Sequence, residues 1–161
     1  MPVKFNQYWT ISCITEVREA YGKFMLNRFI PGINSLGLNV VAGWSVLVGA
    51  HSEISLESVG SDLDVIENAW KEPKFQKLCE DLFNYVRGYS TKILVSTGRK
   101  DSYSIDMKSD TIKFNQAWDI ISTQKDAYEN FVTKEFYPLL EDLGIIVAGE
   151  WKVLIGEGPR I

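Results

Sequence analysis

Lys4-Phe5-Asn6-Gln7-Tyr8-Trp9-Thr10-Ile11-Ser12 returns further along the chain as Lys113-Phe114-Asn115-Gln116-Ala117-Trp118-Asp119-Ile120-Ile121. The likeness continues outward from that stretch. Beyond a two-residue slip, Ala20-Tyr21 with Phe24 answers to Ala127-Tyr128 with Phe131, Phe29-Ile30-Pro31 to Phe136-Tyr137-Pro138, and Leu36-Gly37 to Leu143-Gly144. Trp44-Ser45-Val46-Leu47-Val48-Gly49 answers to Trp151-Lys152-Val153-Leu154-Ile155-Gly156, so Trp9 pairs with Trp118 and Trp44 with Trp151. Residues 4–54 and 113–161 are therefore two copies of one supersecondary segment, and internal repetition of this kind sets the architecture before any single element does.

The periods within the copy identify it as β-α-β. Tyr8 to Ile14 and Trp44 to Val48 are short aromatic and β-branched runs, as strands require, whereas Val17, Ala20, Tyr21, Phe24 and Arg28 recur at helical spacing. Pro31 and Pro138 are expected to bend or end these helices, because proline lacks an N–H and its ring meets the preceding turn. Gly37 and Gly144 then supply the left-handed residue after the helix. Between the copies lies a second segment of the same shape. Glu53 to Val59 alternates as a strand, Ser61-Asp62-Leu63-Asp64 resembles a capping box, and the helix it opens breaks at Pro73. It restarts through Phe75, Leu78, Cys79, Leu82, Phe83 and Val86, and Tyr89 to Ser96 forms the closing strand. The expected organisation is a complete unit over 1–97, a polar linker over 98–111 and a half unit over 112–161.

Composition limits the function classes. The 161 residues are 45% hydrophobic and 24% charged, enough to bury a core. Lys and Arg number 17 against 21 Asp and Glu, a net charge of −4, and the absence of a basic excess weighs against nucleic acid as a partner. The apolar run Val40 to Val48 is broken by Gly43 and Ser45 and falls short of a membrane span. The opening residues hold no apolar signal segment, and the two cysteines, Cys13 and Cys79, suit reduced thiols, so a cytoplasmic protein is expected. Cys79 lies in a helical apolar stripe and is expected to act as a small hydrophobe.

Strand, helix, strand, strand, helix, strand over residues 5–97 is the ferredoxin-like βαββαβ plan, an α+β fold with an antiparallel sheet and both helices on one face. The proline late in the first helix (Pro31, Pro138), the glycine before the second strand (Gly37, Gly144) and the segment Pro73-Lys74-Phe75 give the chain a further likeness. In these features it resembles the dimeric α/β-barrel superfamily, in its NIPSNAP-like and antibiotic-biosynthesis-monooxygenase-like branches. The resemblance implies a barrel formed when the helix-free sheet face packs on a second sheet. A half unit leaves an empty lane between its two strands. Two explanations fit it: the equivalent half of a second chain fills the lane in a homodimer or higher homo-oligomer, or the chain is a fragment.

Candidate chemistry is sparse. If Trp9, Ile11 and Cys13 face the helices, alternation turns Tyr8, Thr10 and Ser12 toward the barrel interior, with Ser45, Glu57, Lys92, Asp119 and Lys152 joining from other strands. That mixed polar lining would bind a small organic ligand of acidic or phenolic character. The opposite parity would line the interior with Trp9, Trp44, Trp118 and Trp151. His51, the single histidine, is the candidate catalytic base; the resemblance also implies a haem-ligand role in some relatives, but His51 has no second ligand or orienting carboxylate near it in sequence. Neither Glu80-Asp81 nor Glu141-Asp142 has metal-ligand company, and Ser96-Thr97-Gly98-Arg99-Lys100 lacks the spacing of a phosphate loop, so no metal or cofactor is expected. Three functions are open: small-molecule binding in the barrel interior, a cofactor-independent oxygenase or isomerase-like enzyme, and an assembly module with a filled barrel.

Overall fold

A computed structural model describes residues 2–49, 52–100 and 107–161; His51 and positions 101–106 of the expected linker lie outside the described residues. The chain forms two compact units, Met1–Leu94 and Val95–Ile161. In the first, β1 (Val3–Ile11) leads into α1 (Thr15–Phe24), a π-helical turn (Met25–Phe29) and α2 (Ile30–Asn34). Then follow β2 (Asn39–Ser45), β3 (Ile54–Gly60), α3 (Leu63–Lys71), α4 (Pro73–Leu82) and β4 (Val86–Ser96). The strands lie in the order β2-β3-β1-β4, which is the ferredoxin-like plan expected from the sequence.

Alternation along β1 builds the core. Val3, Phe5, Trp9 and Ile11 are buried, and the rings show which layer they meet: Phe5 lies 5.9 Å from Trp70 and 6.2 Å from Phe75, and Trp9 lies 6.1 Å from Phe29, all centroid to centroid. The odd-numbered side chains of β1 therefore face the helices. Each of these buried apolar side chains stabilises the fold by roughly 1.5–3 kcal/mol. Trp9 satisfies its indole N–H inside this layer by donating to the Tyr21 hydroxyl at 2.9 Å. β1 pairs antiparallel with β3, from Val3 opposite Gly60 to Trp9 opposite Ile54.

Pro31 does not end its helix. The Ile30 N–H reaches back five residues to the Met25 carbonyl, so the backbone widens by one residue immediately before the proline. The ring and the missing N–H of Pro31 then fall in the first turn of α2, where a donor is not needed, and the helix runs on to Asn34. Gly37 ends the turn with φ +84°, and a Cβ there would sit 3.2 Å from the Val65 side chain. Asp62 caps α3 by accepting from the Val65 N–H at 3.1 Å, and Pro73 opens α4, as the sequence pattern requires. β1 stops at Ile11, short of the expected Ile14, and leaves Cys13 exposed.

The second unit repeats the helix and the hairpin but not the first strand. α5 (Lys125–Phe131), a π-helical turn (Val132–Phe136) and α6 (Tyr137–Asp142) precede β5 (Trp151–Ile155). The Tyr137 N–H donates to the Val132 carbonyl just before Pro138, and Gly144 takes φ +78°, each matching its counterpart. Val153 N–H to Arg160 O at 2.8 Å repeats Val46 N–H to Glu53 O at 2.9 Å. Trp118 and Ile161 exchange two backbone bonds of 3.0 and 3.1 Å, where the first unit sets Trp9 opposite Ile54. The strand expected at 113–121 is not formed. Among the described residues its cross-strand backbone bonds are confined to Trp118, and a strand without a ladder on either side is not stabilised as one.

Candidate functional site

The helix-free face of the first unit carries a row of polar and aromatic side chains whose placement follows from register. Directly opposed residues of an antiparallel pair share a face. Trp44 opposes Ser55, which opposes Tyr8, while Ala42 opposes Glu57, which opposes Asn6. On the fourth strand the Lys92 ammonium stands 6.0 Å from the Tyr8 ring centroid. Trp44, Ser55, Tyr8 and Lys92 thus cross the sheet in one line, with Asn6 and Glu57 in the next.

The two lines differ in exposure. Lys4 and Glu57 form an ion pair at 3.4 Å with side chains only 4% and 2% exposed, and Asn6 beside them is buried. Two charges held this dry require each other, because removing one leaves the other without solvent. Tyr8, Ser55, Trp44, Thr10 and Lys92 are half-exposed. Asn6 donates to the Tyr8 hydroxyl at 3.2 Å. Burial, and secondarily the Glu57 charge, push the Tyr8 hydroxyl above its ordinary value, so it stays protonated at neutral pH. The arrangement is a dry ionic floor beside a half-open rim of two aromatic rings and a cation.

A second polar cluster lies wholly within the second unit. Glu150 is buried and accepts from Arg99 Nε at 2.9 Å, from a second Arg99 nitrogen and from the Tyr137 hydroxyl. Glu150 holds the Arg99 guanidinium above its usual range; burial, then Glu150, does the same to Tyr137. Arg99 also lies over the Tyr128 ring, 5.4 Å from its centroid. Tyr128 also lines an open groove of about 560 Å³ with Gln116, Ala117, Trp118, Phe131, Val132 and Phe136. Trp118 meets Tyr128 edge to face at 6.1 Å, and the indole nitrogen and the phenol oxygen are both buried without a hydrogen bond among the described residues.

Of the candidates read from the sequence, Tyr8, Thr10, Glu57 and Lys92 share one face of the first unit. Ser45 opposes Ile54 and so lies on the helix side, because a bulge between Val40 and Ala42 shifts β2 by one residue and brings Trp44 to the polar face in its place. Ser12 lies beyond the end of β1, where its hydroxyl accepts from the Ile14 N–H at 3.4 Å and its carbonyl from Arg18 at 3.3 Å; it belongs to the turn that precedes α1. Asp119 and Lys152 belong to the second unit, where Asp119 accepts from the Arg160 N–H at 2.9 Å and Lys152 is exposed on β5. His51 lies outside the described residues.

Lys4 and Asn6 carry the parity of Tyr8 but are absent from the sequence candidates, and Trp44 enters there only with the opposite parity. Glu150 and Tyr137 also escaped notice. Their signal was a difference between the copies, since they replace Gly43 and Ile30 of the first.

Among the described residues no cluster of three or more His, Cys, Asp or Glu side chains could hold a metal ion, and no helix is long and apolar enough to cross a membrane. No protein-family model and no curated protein matches the chain. Solved structures do align with it. A NIPSNAP family protein from Agrobacterium tumefaciens is 16% identical over 61% of this chain and 95% of its own, with a TM-score of 0.48. An uncharacterized NIPSNAP domain protein from Burkholderia xenovorans is 17% identical over 61% of this chain and 96% of its own, TM-score 0.47. A dimeric protein of unknown function and ferredoxin-like fold from Bacteroides fragilis is 14% identical over 57% and 93%, TM-score 0.42. These solved structures are what the chain is similar to.

Proposed function

We propose that the first unit binds a small organic acid with a flat apolar body on its helix-free sheet face. Lys92 takes the acidic group, the Tyr8 and Trp44 rings hold the body, and the Tyr8 hydroxyl donates a hydrogen bond. The observation that carries the reading is the nearly dry Lys4–Glu57 pair beside this half-open rim. A fixed, buried polar floor next to aromatic rings and one accessible cation is what an oriented acidic ligand requires. Tyr8 stays protonated at neutral pH, which suits it to donate a hydrogen bond and not to abstract a proton.

Calorimetric titration of the full chain with 4-hydroxybenzoate and with its uncharged amide tests the reading. The acid binds in the micromolar to millimolar range and the amide at least about tenfold more weakly, a difference of ~1.4 kcal/mol. Lys92→Ala removes that discrimination. Equal binding of acid and amide, or acid binding that Lys92→Ala leaves intact, overturns it.

A further inference from the structure

Asn6 stands between the dry ionic floor and the half-open rim. It opposes Glu57 across the β1–β3 pair and is only 7% exposed, and its Nδ2 donates to the Tyr8 hydroxyl at 3.2 Å. Its Oδ1 is buried with no hydrogen-bond partner among the described residues. An unpaired buried carbonyl costs the fold stability, and a leucine of similar size would avoid that cost. Packing therefore does not account for a carboxamide at this position, whereas its bond to Tyr8 does. Ser55, directly opposite Tyr8 on β3, approaches the same group. Burial dominates and raises the Tyr8 value, while the Asn6 and Ser55 side chains both act to lower it, which is the effect of donors aimed at a phenol oxygen.

A phenol has one proton to give and one oxygen to receive with. Where a neighbour donates to the oxygen, the proton turns away from that neighbour. Glu57 reaches Tyr8 through its charge and not through a hydrogen bond, and Tyr8 is half-exposed, so its proton is left for whatever occupies the rim. The geometry points to Asn6 as a positioning residue that fixes Tyr8 as a donor, so that the ligand is an aromatic acid carrying a second, accepting oxygen, an oxo group, at the end away from its carboxylate. This rests on the reading above in which Lys92 takes the acidic group. The Lys92 ammonium stands 6.0 Å from the Tyr8 ring centroid, which puts the cation and the hydroxyl within reach of the two ends of one benzoate-sized molecule. An acid whose far end only donates, such as an aryl amine, meets a second donor there and gains nothing.

The test is calorimetric titration of the full chain with 4-acetylbenzoate, whose far end only accepts, and with 4-aminobenzoate, whose far end chiefly donates. The ratio of the two affinities in the wild type exceeds the ratio in Tyr8→Phe by about fivefold, a comparison that removes differences inherent in the ligands. Asn6→Leu keeps the volume, frees the hydroxyl to turn and brings the ratio down to that of Tyr8→Phe, while the Lys92-dependent preference for an acid over its uncharged amide persists. Asn6→Asp goes further, because its carboxylate accepts the Tyr8 proton and leaves the phenol a lone pair to offer; the preference then swings toward 4-aminobenzoate, a reversal that lost packing does not produce. The comparison of wild type with Tyr8→Phe stands even if an Asn6 variant misfolds. The inference alone is overturned when both acids bind through Lys92 but the wild type and Tyr8→Phe give one ratio, or when folded Asn6→Leu and Asn6→Asp keep the wild-type ratio. It falls together with the ligand reading when neither acid binds or when Lys92→Ala leaves both affinities intact.

Discussion

Phe5 and Phe114 occupy the same place in two copies of one sequence pattern, yet one is sealed under α3 and α4 and the other faces solvent. The same holds for Val3 and Ile112. The difference teaches that the repeated segment encodes only one side of a core: its apolar positions specify a surface to be covered, and burial arrives only with a second β-α-β half. Where that half is present, the pattern yields a strand, a ladder and a packed interior. In the second unit the helix, π turn and hairpin form from local signals, while the strand that depends on neighbours does not.

The largest expected effect comes from truncating that pair of phenylalanines. Phe5→Ala leaves a cavity in a packed layer and lowers the stability of the first unit by about 3–5 kcal/mol in urea unfolding. Phe114→Ala, at a position 80% exposed, changes stability by no more than about 0.5 kcal/mol in the same assay. Equal losses would break the comparison.

Each unit also carries its own dry polar centre. Glu57→Ala removes the carboxylate of the dry Lys4 pair, and Glu150→Ala removes the Tyr137 partner and leaves Arg99 only the longer Glu129 contact at 4.0 Å, so each costs about 3–5 kcal/mol by chemical denaturation. The double replacement Lys4→Met with Glu57→Leu recovers most of the loss. A negligible effect of Glu150→Ala would show that the second unit lacks a settled interior.

A smaller contrast separates the two Trp–Tyr pairs. Tyr21→Phe removes the partner of the Trp9 indole and costs about 1 kcal/mol in the same assay, whereas Tyr128→Phe removes a hydroxyl with no hydrogen bond among the described residues and costs less.

The smallest effect is with acid. Arg18 holds the Glu53 carboxyl below the ordinary carboxylate value, so the contribution is present above that value and is lost as pH falls through the lower folded-state value. Melting of the first unit therefore drops as pH falls below about 4.5. Arg18→Gln flattens the drop without abolishing it, because Asp62 and Asp81 are held low by their own partners, Asp62 chiefly by Ser61 and Asp81 chiefly by Lys77.

The βαββαβ order, the Asp62 cap, the break at Pro73 and the left-handed glycines were legible because each rests on a local rule. Half of the polar face was legible as well, since Tyr8, Glu57 and Lys92 follow from alternation alone. The remainder was hidden by features with no local signature. A bulge at Val40–Ala42 exchanges Ser45 for Trp44, and nothing in the residues around it announces the extra position. Ser12 leaves the face because the end of β1 is set by the segment entering β4, where the Ser12 N–H bonds to the Tyr85 carbonyl, and not by its own composition. The strand at 113–121 is the opposite case: its propensity is visible in the residues, but among the described residues a cross-strand ladder reaches it only at Trp118.

The π turns at Met25–Phe29 and Val132–Phe136 have a bearing on history. A widened turn holds one residue more than an α-helix of the same length, so removing one residue there would close it to a regular α turn and set the proline in a helix interior, where its ring and missing N–H disrupt the backbone bonding. Both copies retain that extra residue at the same distance from their proline. The insertion was therefore part of the ancestral segment when it was duplicated, and each descendant has since been held to the same length between its first helical turn and its glycine.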